Sequence, residues 1–209
     1  KRISLDTFVR QNRATRGKGG MKTKEEYDVA HFFTAMMHDK VLFFSSKVLC
    51  YKLKTYKLPE ANAAAKGRPL VNLLPLTEGE TITAILPVPE EDVKRVQESG
   101  KEHFLMFVTA SGTVRRNRMS DFGSIRANGK IAMKLDEGDS LISVLPCTED
   151  QDVFLSTYRG RCIRFAVPEI RIFAGRNSTG VRGLSLQKDD YIIGMAMLNH
   201  GESDSVVRA

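Results

Sequence analysis

Cysteine is scarce in this 209-residue chain: Cys50, Cys147 and Cys162 are odd in number, far apart and never in a Cys-x-x-Cys pair. That excludes a disulfide framework and a thiolate zinc site, and each cysteine is expected to be a small core residue. Long apolar runs are missing too. None approaches the roughly 18 residues that cross a bilayer, and the opening residues 1–6 lack the apolar centre of a signal peptide. The expectation is a soluble, cytoplasmic domain with no membrane partner. Catalytic constellations are equally thin. His31, His38, His103 and His200 show no ligand spacing, and neither Gly-x-Ser-x-Gly nor His-Glu-x-x-His occurs. His200-Gly201-Glu202 opens like a zinc deaminase signature, but no Pro-Cys-x-x-Cys follows. Gly17 to Thr23 fails as a phosphate-binding loop because Met21 stands where Gly must precede Lys22. No catalytic residue, metal or cofactor is expected of this chain itself.

Charge is present, and it is concentrated. Lys1, Arg2, Arg10, Arg13, Arg16, Lys18, Lys22 and Lys24 face one acid, Asp6, within the first 24 residues, which accounts for the whole net charge of +7. The remaining 185 residues balance 24 basic against 24 acidic groups. A basic stretch interleaved with glycine and without acidic partners suits a polyanion such as a nucleic-acid backbone; a frayed basic terminus is the plainer alternative.

A unit of about fifty residues recurs. Val41–Phe44 running on to Cys50–Lys52, Phe104–Val108 to Val114–Arg116, and Val153–Leu155 to Cys162–Arg164 each read as a β-hairpin. Gly112 and Gly160 suit its turn, whereas Val48 in the first copy predicts a turn of another type. Marker glycines Gly17, Gly67, Gly129 and Gly180 lie 50, 62 and 51 apart, with surplus residues around Leu73-Leu74-Pro75 and a short surface helix predicted over residues 89–97. Arg2, Lys52, Arg116 and Arg164 each stand six residues before an apolar anchor, Phe8, Leu58, Phe122 and Ile170. Acidic pairs Glu137-Asp139 and Asp189-Asp190 share one repeat position, which points to turn geometry. Val29, Phe32, Phe33, Met36 and Met37 have helical spacing, but their repeat mates over 81–86, 140–145 and 191–195 are β-branched, so a core strand is predicted.

The units fall at 1–40 (partial), 41–100, 101–150 and 151–209, with Val206–Arg208 opening a further blade, all within one domain. The fold expected is all-β, a propeller-like array (a β-pinwheel) of about four-stranded blades. After each hairpin comes a basic, glycine-containing loop. The candidate DNA-binding residues are Gln11, Arg13, Arg16, Gly17, Lys18 and Lys22 in the first loop. Lys66 and Arg68 follow in the second, Arg126 and Lys130 in the third, and Arg171, Arg176 and Arg182 in the fourth. Arginine forks and lysine ammoniums neutralise phosphates, and glycine lets backbone N–H groups come close.

Lys57 to Ala61, the run Lys66-Gly67-Arg68-Pro69-Leu70-Val71-Asn72-Leu73-Leu74-Pro75-Leu76, Ile82 to Val88, and Asn177 to Gly183 resemble the C-terminal domain of bacterial DNA gyrase A. The resemblance covers essentially the whole chain. It implies a β-pinwheel that wraps duplex DNA on a basic rim, as a non-catalytic part of an ATP-dependent type II topoisomerase. Its implied partners are double-stranded DNA, the N-terminal domain of gyrase A and the gyrase B protein. ATP and Mg²⁺ serve the holoenzyme elsewhere, and the setting is the nucleoid in the cytoplasm. The family's Gln-Arg-Arg-Gly-Gly-Lys/Arg-Gly box falls on Gln11 to Gly17: Gln11, Arg13, Arg16 and Gly17 match, while Asn12, Ala14 and Thr15 depart from it. Those departures keep open the related C-terminal domain of topoisomerase IV. A propeller-like protein-interaction scaffold is the alternative from another class.

Overall fold

The computed structural model describes residues 1–7, 30–91, 100 and 102–200. The box-like loop at 11–17, most of the expected surface helix and residues 206–208 lie outside them. Three antiparallel hairpins stand where the apolar runs place them. They are β1 (Lys40–Ser45) with β2 (Leu49–Lys54), β4 (Phe104–Thr109) with β5 (Thr113–Arg118), and β8 (Gln151–Thr157) with β9 (Cys162–Ala166). A third strand returns to pair with the first strand of each hairpin: β3 (Ile82–Val88), β7 (Leu141–Cys147) and β11 (Ile192–Asn199). The register slips beside Ser45↔Ile82, Thr109↔Leu141 and Thr157↔Ile192, so all three sheets carry the same bulge. Pro87 and Pro146 are tolerated because β3 and β7 are edge strands, where a missing N–H leaves no ladder bond unmade.

The fourth strand of a sheet comes from the next unit. β6 (Lys130–Ile131) pairs with β2, and β10 (Val181–Arg182) pairs with β5. Ala132 N–H donates to the Val48 carbonyl and Gly183 N–H to the Gly112 carbonyl, so the two exchanges are equivalent. The Arg2–Glu60 and Arg116–Ile172 parallel bridges are a second matched pair of inter-unit contacts. Sheet orders are therefore β3-β1-β2-β6, β10-β5-β4-β7 and β11-β8-β9.

This exchange explains two marker glycines. A Cβ on Gly129, whose φ is +83°, would stand 2.8 Å from the Tyr51 ring, and one on Gly180 would collide with the Val114 carbonyl. Both serve the close approach of one unit to the strand before it. Gly180→Ala is expected to cost about 1–3 kcal/mol, as overpacking does. Chemical denaturation checks this, and faster amide exchange at Thr113 and Val114 should accompany it.

Three expectations are corrected. The first hairpin turn is not of another type: Val48 takes φ 57° beside 86° at Gly112 and 78° at Gly160, and the N–H of each donates three residues back, to Ser45, Thr109 and Thr157. Burial of the valine in the first core offsets the left-handed strain of a β-branched residue. Residues 30–37 form neither strand nor helix, and Phe32 (80%) and Met36 (72%) are exposed rather than core. Among the described residues no strand pairs with this segment. Finally, Cys162 is exposed at the start of β9, whereas Cys50 and Cys147 are buried and their thiols pushed up by that burial.

β4 is buried along its entire length because both its faces are covered. Leu105 and Phe107 point into a cluster with Leu42, Phe44 and Leu86 of the first sheet. Phe104, Met106 and Val108 point the other way, to Val153 and Leu155 of the third sheet. Alternation thus sorts one apolar run into two cores. The surplus residues around Leu74 join this packing, since Leu74 is buried against Val41, Phe43 and Tyr51.

The recurrent acids are turn ligands. Asp139 accepts from Ser111 N–H and Oγ, Asp190 from Arg159 and Tyr191 N–H, and the equivalent Glu80 from Tyr51 Oη and Thr77 N–H. Burial opposes ionisation at all three. The hydrogen bonds they accept outweigh it, so each carboxyl is held below its ordinary value.

Candidate nucleic-acid interface

The basic loops after β5 and β9 run along the edge of the preceding unit's sheet, because each ends in an exchanged strand, β6 or β10. In the loop after β5, a 3-10 turn over Met119–Phe122 buries Phe122 as an anchor and leaves Arg126 exposed. Its carbonyls gather cations from three units. Lys52 Nζ donates to Gly123 O at 2.7 Å, Lys130 Nζ to Asp121 O and Ser124 O at 3.2 Å, and Arg176 Nη1 to Asp121 O at 3.2 Å. An open pocket of about 340 Å³ lies here, lined by Ser120, Asp121, Ser124, Lys130, Gly175 and Arg176 among others. Its lining is polar, with Lys130 and Arg176 against the single acid Asp121, which suits an anion better than an apolar ligand.

In the next loop Arg171 is exposed, with its guanidinium 4.0 Å from the centroid of the Phe173 ring. Arg182 lies exposed on β10, opposite Thr113. Lys66 and Arg68 are exposed in the loop of the first complete unit, where Gly67 lies nearest to Lys1. The structure therefore brings Lys130 and Arg176 together and leaves Arg68, Arg126, Arg171 and Arg182 open on the surface. Gln11, Arg13, Arg16, Gly17, Lys18 and Lys22 lie outside the described residues. Two members of the basic N-terminal stretch are occupied internally. Lys1 Nζ donates to the Asn62, Ala63 and Ala65 carbonyls, and Arg2 pairs with Glu60 at 2.9 Å.

Sequence reasoning missed Lys52 and Arg115. Lys52 was legible only as a repeated basic position, and its reach to a turn of the next unit is a long-range fact. Arg115 carried one signal: it stands where the other hairpins have Tyr51 and Ile163. Among the described residues no group of three or more His, Cys, Asp or Glu is placed to hold a metal ion, and no helix is long and apolar enough to cross a membrane.

Comparison with known proteins fits this geometry. The chain is 46% identical to the DNA gyrase A protein of Granulibacter bethesdensis over 211 residues, covering 100% of the chain and 22% of that protein. It is 42% identical to the DNA gyrase A protein of Rickettsia conorii, covering 95% of the chain and 21% of that protein. It thus spans about a fifth of the length of these curated relatives. Among solved structures, a DNA gyrase A C-terminal domain superposes with TM-score 0.65 at 21% identity, covering 94% of this chain and 60% of that one. The C-terminal domain of a DNA topoisomerase IV gives 0.66 at 22%, covering 78% and 48%. The family model described as the DNA gyrase C-terminal domain, β-propeller, matches residues 1–35, 39–89, 103–148 and 151–199, one segment for each unit, and this chain belongs to that family.

Proposed function

We propose that this domain binds duplex DNA through its phosphates and curves it along the outer edges of successive units, as the DNA-wrapping module of a DNA gyrase A protein. The observation that supports the reading is that the basic loops after β5 and β9 each end on the edge strand of the unit before, with cations of three units converging on the Gly123 turn. Phosphate contacts at several points along an arc offset the cost of bending, on the order of 1–6 kcal/mol for a 20–30 bp site. In the holoenzyme the partners are DNA, the N-terminal domain of gyrase A and the gyrase B protein. ATP and Mg²⁺ act in those other parts, this domain directs the strand passage toward negative supercoils, and the assembly works on the nucleoid in the cytoplasm.

Topology footprinting tests this. Relaxed circular DNA is incubated with the chain, treated with a nicking-closing enzyme and resolved by linking number. A shift that grows with protein supports wrapping; binding without any shift reduces the role to attachment. Arg13→Ala with Arg16→Ala is expected to diminish the shift more than Arg68→Ala with Arg126→Ala, because the first 24 residues hold the whole charge excess. Stability should change by no more than about 0.5 kcal/mol, as is usual for substitutions that disturb no packing. Unfolding of the first variant would make those arginines structural.

The box departures at Asn12, Ala14 and Thr15 favour one second reading, the equivalent C-terminal domain of topoisomerase IV. Supercoiling by the reconstituted enzyme separates the two.

A further inference from the structure

Arg115 is 0% exposed, yet among the described residues no carboxylate forms an ion pair with it. Its Nη donors end on one loop of the following unit. Nη1 reaches Ser178 O, Ser178 Oγ at 2.9 Å and Thr179 O at 3.2 Å, and Nη2 reaches Gly175 O. Nε donates to Asn117 Oδ1 at 2.7 Å, and Asn117 Nδ2 donates in turn to Phe173 O at 2.9 Å. The guanidinium lies 4.5 Å from the centroid of the Phe173 ring that Arg171 also covers. Few other groups hold this loop: besides the Arg115 and Asn117 contacts, its backbone is tied by Phe173 N–H to Arg116 O and Lys134 N–H to Ser178 O.

The repeat does not require a cation here, since Tyr51 and Ile163 fill the same place in the other hairpins. Burying a guanidinium against neutral carbonyls is a costly way to fill a core. It is an effective way to fix a loop in one conformation, because a planar fork satisfies several carbonyls at set angles. The loop so fixed carries Arg171 and Arg176. Burial, and after it those two neighbouring arginines, lower the Arg115 guanidinium to about 10, so it stays charged at neutral pH. Arg115 and Arg171 share the Phe173 ring and Arg176 lies on the same loop, so an incoming phosphate would bring counter-charge to a group of cations.

We propose that Arg115 is a positioning residue for DNA: it touches no phosphate itself but holds the loop of the next unit so that Arg171 and Arg176 meet the backbone together. This rests on the phosphate-contact reading above.

The test is the slope of log K against log salt concentration for a mixed-sequence duplex, in which each phosphate contact contributes about 0.9. Arg171→Ala with Arg176→Ala should lower the slope by about 2. Arg115→Met should lower it by a similar amount and add nothing in the triple variant. Arg115→Lys keeps the charge without the fork, carries the test if Arg115→Met does not fold, and is expected to lower the slope as well. Amide exchange over residues 174–180 should quicken in both Arg115 variants. A loss of thermal stability with slope and loop exchange unchanged, or a wild-type slope in Arg115→Lys, overturns the positioning role alone. An unchanged slope in the Arg171→Ala, Arg176→Ala variant overturns the phosphate reading of this loop and the proposal with it.

Discussion

Affinity for duplex DNA is expected to fall by on the order of 10³–10⁵ between 50 and 200 mM salt, and to differ little between unrelated sequences. The candidate cations among the described residues are Lys66, Arg68, Arg126, Lys130, Arg171, Arg176 and Arg182, and Arg13, Arg16, Lys18 and Lys22 add to them from the N-terminal stretch. Lys130 and Arg176 divide their hydrogen bonds with the Asp121 carbonyl, so the number of phosphates neutralised should be roughly 6–10 rather than the full set. Each releases condensed counterions, which is why the dependence on salt is steep. Sequence discrimination needs side chains that reach base edges, as from a helix lying in a major groove. Among the described residues α-helix is confined to Glu90 and Glu91, whose acidic side chains do not suit a groove lined by phosphates. Anisotropy titrations at several salt concentrations, on duplexes of different sequence, measure both effects. A constant that hardly moved with salt would remove the phosphate track and leave the interaction-scaffold reading.

The hairpins were legible because an apolar run followed by an alternating one is a local pattern, and repetition made it unambiguous. The exchanged strands were not. Lys130–Ile131 and Val181–Arg182 are two residues each, too short to show a period, and what makes them strands is the outer edge of β2 or β5 waiting beside them. The same long-range cause explains the glycines: Gly129 and Gly180 look like loop residues freed for a ligand, but their missing side chains leave room for Tyr51 and Val114. Repetition also misled. Residues 30–37 share a repeat position with three genuine strands, but among the described residues no strand pairs with them. Of the candidate site, the exposed basic loops could be read from composition, whereas the convergence of Lys52, Lys130 and Arg176 on a single turn depends on how units nest. That nesting also means the units are not separable pieces. Cutting the chain at Gln151 would strip β5 of β10 and leave Arg115 buried without its loop carbonyls.

Phe107→Ala is expected to destabilise the domain by about 3–5 kcal/mol, a large share of the 5–15 kcal/mol that a domain of this kind has in total. Phe107 is fully buried on β4, with its ring edge-on to Phe44 of the first sheet at 5.5 Å and 5.9 Å from Phe122. The three rings come from two units, and Phe44 also meets Phe122 at 5.9 Å, so truncating Phe107 opens a cavity at the junction itself. If the units folded as independent beads, the variant would melt in two steps, with the third sheet unaffected. The exchanged strands and the two-sided burial of β4 tie all three sheets together, so a single transition displaced to lower denaturant is expected. Equilibrium denaturation followed by tyrosine fluorescence and by far-ultraviolet circular dichroism distinguishes these outcomes. Coincident curves with a lower midpoint and an unchanged slope fit one cooperative array, while a cost below about 1 kcal/mol would mean that the ring is not packed between the sheets. Under conditions where the variant stays folded, its DNA affinity at low salt should match that of the parent chain. The proposed phosphate contacts lie on the loops, and the ring lies in the core that joins one unit to the next.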